Sequence, residues 1–253
     1  MNEDYITIEH QNQVAILKLN RGITNAIDGN LVLALDSALK RQAADPEVLG
    51  LVLTSSNNKF FSIGLDIPGL FSLGEREFRS FYQSYNQMCL GMLTISKPLV
   101  AGITGHAIAG GCILSLCCDY RFISEGRKLI GLNEIKLGVP VPYVADCILR
   151  KLIGYRNARY VMDSGGFLEP EEAHRLGMVD GIRPAEELLP RSIEKARELS
   201  SDSPEAFALI KSSRVHAVER EIKEQLSERE DAFIKCWYSD DARAHLKDAI
   251  SKY

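Results

Sequence analysis

Three short stretches carry residue types that can stabilise a negative charge or move a proton: Phe61-Ser-Ile-Gly-Leu-Asp-Ile67, Gly105-His-Ala-Ile-Ala-Gly-Gly-Cys112 and Gly131-Leu-Asn-Glu134. In the first, Gly64 follows a predicted strand, where a missing Cβ permits positive φ and lets the next backbone N–H turn toward a cavity. In the second, Gly110 and Gly111 open a predicted buried helix. The first N–H groups of a helix have no intrahelical acceptor and favour negative charge, and glycine lets a ligand atom come close. Two such loops converging make an oxyanion hole. In the third, Glu134 stands among Ile130, Leu132, Ile135 and Leu137, and an apolar setting raises a carboxylate's pKa and suits it to proton transfer. Each stretch taken alone also has a plainer explanation: Gly64 turns the chain, the glycine pair allows tight helix packing, and Glu134 is a surface carboxylate beside a turn. A nucleophile pair of His106 and Cys112 lacks a third group to orient it, so both are read as packing residues.

The elements that must hold these stretches follow from hydrophobic periodicity. Tyr5 to Asn20 reads as a hairpin around Gln11-Asn12-Gln13. In its second strand Val14 and Ile16 point one way and Ala15, Leu17 and Leu19 the other, which predicts cover on both faces. Asp28 starts a helix with Leu31, Leu35, Ala38 and Leu39 on one face, ended by Asp45-Pro46. Val48 to Leu53 is a strand, Glu75 to Leu93 a helix, Leu99 to Ile103 a strand, Cys112 to Leu116 a buried helix and Tyr120 to Ile123 another strand. This alternation predicts an α/β core with right-handed crossovers. Beyond Pro140 the pattern is helical almost throughout, broken at Gly165-Gly166 and by a short strand-like Met178 to Ile182. Phe207, Ile210, Val218, Ile222 and Leu226 recur at helical spacing. Residues 1–181 are therefore expected to form the core and 182–253 a helical extension.

Composition narrows the class. Among 253 residues, 45% are hydrophobic and 25% charged, the usage of a folded globular chain rather than a disordered or disulfide-stapled one. A net charge of −4 supplies no whole-protein field for nucleic acid or anionic lipid. Six cysteines without metal-ligand spacing read as buried reduced thiols of a cytoplasmic protein, and no metal site is expected. Met1 to Tyr5 lacks the character of a signal peptide, and no apolar run is long enough to span a membrane.

In combination and in this order, the three stretches resemble the enoyl-CoA hydratase/isomerase (crotonase) superfamily. Asn20-Arg21 with Thr24-Asn25-Ala26-Ile27, the run Lys97-Pro98-Leu-Val-Ala-Gly-Ile-Thr-Gly105, and Cys118-Asp119-Tyr120-Arg121 belong to the same resemblance, which covers essentially the whole chain. It implies a ClpP/crotonase-like spiral of ββα units with a helical C-terminal trimerisation region. It also implies an acyl-CoA thioester as ligand, no separate cofactor since CoA is part of the substrate, and a homotrimer or dimer of trimers.

Carried over residue by residue, the resemblance gives the thioester oxygen to the backbone N–H groups of Leu65 and Gly110. Family hydratases use two glutamates to hold and activate water; here those positions are Ile113 and Glu134. A lone carboxylate beside an isoleucine suits a 1,3-proton shift, which needs one base and a dry wall. The segment Gly131 to Glu134 looks like that of the mitochondrial-type Δ3,Δ2-enoyl-CoA isomerases. Pro142 occupies a position where dienoyl-CoA isomerases need an acid. The resemblance further implies CoA contacts at Ile63, Gly64 and Asp66 and at Asn25 and Ala26. Lys59 is a candidate phosphate contact, with Lys247 and Lys252 as alternative sources of charge. Hydration, thioester hydrolysis and a non-catalytic CoA-binding role are the competing readings. Phe71, Phe78, Phe81 and Tyr82 fit either an acyl tunnel or a helix core.

Overall fold

The computed structural model describes residues 5–251, so Met1 to Asp4, Lys252 and Tyr253 lie outside the described residues. The predicted hairpin is β1 (Ile6–Gln11) and β2 (Val14–Leu19), paired antiparallel with Gln11 opposite Val14. Asn12 and Gln13 turn it with φ of 51° and 61°, the positive sense that matches strand twist in a tight hairpin. Asp28 caps α1 (Gly29–Ala44), its carboxylate accepting the Leu31 N–H at 2.8 Å.

After this start the chain repeats one pattern. β3 (Gly50–Ser55) is followed by β4 (Phe60–Ser62), then α2 (Ile67–Phe71) and α3 (Glu75–Thr94). β5 (Leu99–Ile103) is followed by β6 (His106–Ile108) and α4 (Gly110–Leu116). β7 (Tyr120–Ser124) is followed by β8 (Ile130–Gly131), a 3-10 turn over Glu134–Leu137, and α5 (Tyr143–Ser164). In each repeat the first strand joins a six-stranded sheet of order β1-β2-β3-β5-β7-β9 and the second joins a small sheet of order β4-β6-β8. α6 (Pro170–Leu176) leads to β9 (Gly181–Arg183), which closes the large sheet on β7. This is the ββα spiral that the resemblance implies.

The small sheet positions the chemistry. Its strands are parallel, with Phe60 opposite His106 and Ile108 opposite Gly131, so their C-terminal ends emerge along one edge. The residues that leave that edge are Gly64-Leu65, Gly110-Gly111 and Glu134. Segments separated by some seventy residues in the chain thus become neighbours.

The large sheet is covered on both faces, as the apolar runs predict. Ala15, Leu17, Leu51 and Leu53 enter the main core, while Val14, Ile16, Val52, Val100 and Phe122 pack on Leu188, Ile193 and Ala196 of α7 (Ala185–Ser200). The helical C-terminal third continues with α8 (Pro204–Trp237) and α9 (Asp240–Ile250). The junction between residues 181 and 182 falls inside β9, and α7 serves as the second cover of the sheet. Phe78, Phe81 and Tyr82 are core residues: Phe78 stacks on Trp237 and Tyr82 on Phe233, with centroid separations of 4.4 and 4.1 Å. Helix core, not tunnel, explains them.

One departure from periodicity is informative. Phe207, Val218, Ile222 and Leu226 are buried as expected, but Ile210 is 63% exposed and the following Lys211 is 2% exposed. The Lys211 ammonium sits 2.6 Å from the Asp119 carboxylate, which also accepts the Leu99 N–H at 2.9 Å and pairs with Arg214. Burial lowers the Lys211 pKa, and Asp119 opposes that shift. Asp119→Ala leaves a buried ammonium with only the Lys97 carbonyl and no counter-charge within its core, and a buried N–H unpaired, and is expected to cost about 3–5 kcal/mol of stability in a urea titration. Among the described residues no helix is long and apolar enough to cross a membrane.

Candidate active site

The loop after β4 is aimed by its neighbours. Ile27 bridges Leu65 in parallel fashion: its N–H donates to the Gly64 carbonyl at 2.7 Å, and its carbonyl accepts the Asp66 N–H at 2.9 Å. Those two bonds leave the Leu65 N–H directed away from Ile27, and among the described residues it has no protein acceptor. Arg21 clamps the loop from outside, donating to Asp66 at 2.7 Å and to the Ala26 carbonyl at 2.8 Å while pairing with Asp28 at 3.1 Å.

Gly110 is the first residue of α4, where an N–H has no intrahelical acceptor, and the preceding Ala109 supplies no side-chain cap. Ala109 holds φ 47° and ψ −117°, a backbone conformation costing on the order of 1–3 kcal/mol outside glycine. Its N–H donates to the Gly131 carbonyl at 2.8 Å, and the Tyr85 hydroxyl donates to the Gly110 carbonyl at 3.3 Å, so both sides of the step are fixed. Glycines allow the two loops to meet. A Cβ at Gly64, whose φ is +98°, would stand 2.9 Å from the Gly110 nitrogen, and one at Gly111 would stand 2.2 Å from the Ser62 carbonyl oxygen.

Glu134 opens the 3-10 turn after β8 and is 5% exposed. Among the described residues its Oε2 has no hydrogen-bond partner. Burial raises its pKa from the ordinary 4.5 to about 7, with its own backbone N–H pulling the other way. A carboxyl so poised can both take and return a proton near neutral pH.

Leu65, Gly110, Ile113 and Glu134 line one cavity of about 520 Å³, together with Ile63, Tyr85, Val139, Phe233 and Trp237. The converging donors, the lone buried carboxylate and the isoleucine expected beside it thus share a single space. Asp248, the other carboxylate of the lining, is exposed on α9.

Other residues expected as ligand contacts stand elsewhere. Asn25 is fully buried; its side chain donates to Ser55 and the Phe61 carbonyl and accepts the Arg21 N–H, so it organises the loop and touches no part of the cavity. Ala26 serves through its carbonyl on Arg21, and Asp66 through its bonds to Arg21 and to the Gly69 N–H. Gly64 is not among the lining residues, although its neighbours Ile63 and Leu65 are. Lys59 is exposed, with its ammonium 5.8 Å from the Phe60 ring at the cavity mouth.

Conversely, His106 is more than a packing residue: it lines the mouth. Its Nδ1 accepts the Leu129 N–H at 2.9 Å, which leaves Nε2 as the protonated nitrogen of the neutral ring. Burial lowers its pKa first, followed by Lys128, Arg127 and Lys59. Those three cations mark a positive rim of which the sequence reading had only Lys59. Cys112 is fully buried with its thiol pushed up by desolvation, so no nucleophile pair exists. Phe233 and Trp237 carried no signal as site residues, because nothing in a long helical pattern shows which apolar positions border a cavity.

Fold and geometry together define an α/β spiral enzyme in which paired backbone donors and a buried carboxylate line one apolar cavity. The sequence profile of the enoyl-CoA hydratase/isomerase family matches residues 9–252, and the chain belongs to that family of acyl-CoA enzymes. It is 28% identical to a crotonyl-CoA hydratase of Syntrophomonas wolfei over 253 residues, all of this chain and 97% of that one. It is 31% identical to mouse mitochondrial enoyl-CoA delta isomerase 1 over 176 residues, 69% of this chain and 61% of that one. The crystal structure of human mitochondrial delta3-delta2-enoyl-CoA isomerase superposes with a TM-score of 0.94 at 25% identity, covering 98% of this chain and 97% of that one.

Proposed function

We propose that the protein isomerises 3-enoyl-CoA to trans-2-enoyl-CoA in fatty-acid β-oxidation. The observation that carries this reading is the cavity's single buried carboxylate, Glu134, accompanied by the apolar Ile113 where a hydratase would place its other glutamate. The Glu134 carboxylate removes a proton from C2, and the electrons move into a dienolate whose oxygen is held by the Leu65 and Gly110 N–H groups. The resulting carboxylic acid returns the proton to C4, leaving the double bond between C2 and C3. Each preorganised donor contributes about 3–4 kcal/mol to such a step. Hydration would need a second polar group to hold and relay water, and the buried isoleucine supplies none.

The CoA phosphates have their best partners in the rim cations Lys59, Arg127 and Lys128, with Lys247 exposed on α9. A homotrimer or dimer of trimers in the cytoplasm completes the reading. Exposed Leu152 and Tyr155 on α5 and Leu209 and Ile210 on α8 are apolar surface of the kind a partner subunit covers.

A product screen tests the reaction. With 3-hexenoyl-CoA the expected product is trans-2-hexenoyl-CoA, and crotonyl-CoA is expected to be hydrated at least about a hundredfold more slowly, the loss of one acid–base partner. Efficient hydration of crotonyl-CoA would instead favour the activity for which the Syntrophomonas relative is named. Because the base must be ionised, kcat/KM for isomerisation should fall as pH drops through about 7 and reach a plateau above it. A profile still flat at pH 5 would remove Glu134 from the role of base.

A further inference from the structure

The cavity that contains Glu134 is separated from a second cavity, of about 590 Å³, by a wall one side chain thick. Val139 and Phe233 line both spaces. The loop after the 3-10 turn runs along the wall: Pro140 and Val141 border only the second cavity, and Pro142 only the first. The second space is lined by apolar surface from Tyr82, Ile135 and Met162 and by the charged Asp146, Arg150, Asp163 and Arg229.

The two wall residues differ in freedom. Phe233 is 2% exposed and stacked on Tyr82 at 4.1 Å, so displacing it disrupts the aromatic core between α3 and α8. Val139 is 5% exposed, with its N–H bonded to the Glu134 carbonyl at 3.1 Å. Its backbone is therefore tied to the turn that carries the base, and its branched side chain has little rotamer freedom. Neither residue can swing aside for a longer ligand.

We infer that Val139, backed by Phe233, ends the acyl chamber and sets the longest acyl chain the enzyme accepts, and that a smaller residue at 139 would join the two cavities. This rests on reading the first cavity as the acyl site. Each methylene that finds buried apolar space improves binding about fourfold. A methylene that meets the wall gains nothing and forces the chain to fold back.

The test measures Kd for saturated acyl-CoAs from butanoyl to hexadecanoyl, with wild type, Val139→Ala and Val139→Phe, beside turnover of the matching 3-enoyl-CoAs. Wild-type affinity should climb with length and then stop. Val139→Ala should move that limit outward by two or more carbons, with about a tenfold gain for the first chain past the old limit. Val139→Phe should move it inward, so the conclusion does not depend on one variant. Identical length profiles in all three proteins, or one common factor at every length, would overturn the inference. Saturated thioesters have no double bond to isomerise or hydrate, so a shifted limit without 3-enoyl turnover keeps the inference and removes the isomerase reading. Turnover with an unmoved limit does the opposite.

Discussion

Replacing Glu134 by glutamine is expected to lower kcat for 3-enoyl-CoA by about 10³ to 10⁴, the upper part of the range for a positioned acid–base group. The amide keeps the size of the side chain and can still hydrogen-bond, but it cannot accept the C2 proton. The same change should make the protein more stable in alkaline solution. The carboxyl's pKa is raised to about 7 in the folded chain because burial penalises its charged form, so the native state holds its proton more tightly than the unfolded state does. The stability this group contributes is complete below the unfolded pKa of about 4.5 and is lost as pH rises through 7, a change on the order of 3 kcal/mol. Urea midpoints for wild type and Glu134→Gln should therefore coincide near pH 4.5 and separate by pH 8, with the variant higher. A variant that is slower but less stable at pH 8 would show that Glu134 is held by partners rather than merely desolvated.

Gly64→Ala is expected to lower kcat by about 10² to 10³, the effect of losing an oxyanion donor. Two physical effects act together. The residue's φ of +98° is disfavoured for any side chain, and the new Cβ would stand 2.9 Å from both the Gly110 nitrogen and the Ile108 carbonyl oxygen. Relief requires the loop after β4 to move from the start of α4, which separates the Leu65 and Gly110 donors. Acetoacetyl-CoA gives a direct readout, since its enolate absorbs in the ultraviolet and the donors stabilise it; the variant should bind less of it as enolate. Gly22→Ala separates strain from displacement: Gly22 has φ +59° with nothing within 4 Å of its Cβ position, so its substitution should cost about 1 kcal/mol of stability and leave kcat unchanged. Equal kinetic losses in both variants would mean that general destabilisation explains the Gly64 result.

Much of the fold is legible in the chain because period and length agree. β2 alternates between two apolar sets, and each set meets its own core, one of them capped by α7. Asp28 begins α1 as its capping chemistry requires. The strands of the small sheet are different: β4 and β6 have three residues and β8 has two, too few to show any period. The ββα repeat was therefore visible through resemblance and not through patterning. The burial of Lys211 is illegible in the chain for a related reason. Periodicity assigns a charged residue to solvent, and only the arrival of Asp119 from β7's leading edge makes its burial tolerable.

The candidate site divides the same way. Gly64, Gly110 and Glu134 announce themselves by type, since a loop glycine, a helix-opening glycine and a carboxylate among leucines and isoleucines each have a restricted set of uses. Asn25, Ala26 and Asp66 share the same motifs, yet the side chains of Asn25 and Asp66 and the Ala26 carbonyl are engaged by Arg21, Ser55, the Phe61 carbonyl and the Gly69 N–H. Composition cannot distinguish a polar group that meets a ligand from one that meets its own loop.

The chain by itself therefore determined the chemical parts: two backbone steps able to expose unpaired N–H groups, one carboxylate in an apolar neighbourhood and, as the family resemblance implies, an isoleucine at the position of a hydratase's second glutamate. The tertiary structure decided what those parts can do together. Parallel pairing of β4, β6 and β8 delivers the two backbone steps and the carboxylate to one edge and α4 adds the isoleucine, while α3 and α8 supply Tyr85, Phe233 and Trp237 from distant sequence. The raised pKa of Glu134 and the closed end of its cavity exist only once those helices have packed, because desolvation and volume belong to the folded assembly of side chains and to no single segment of the chain.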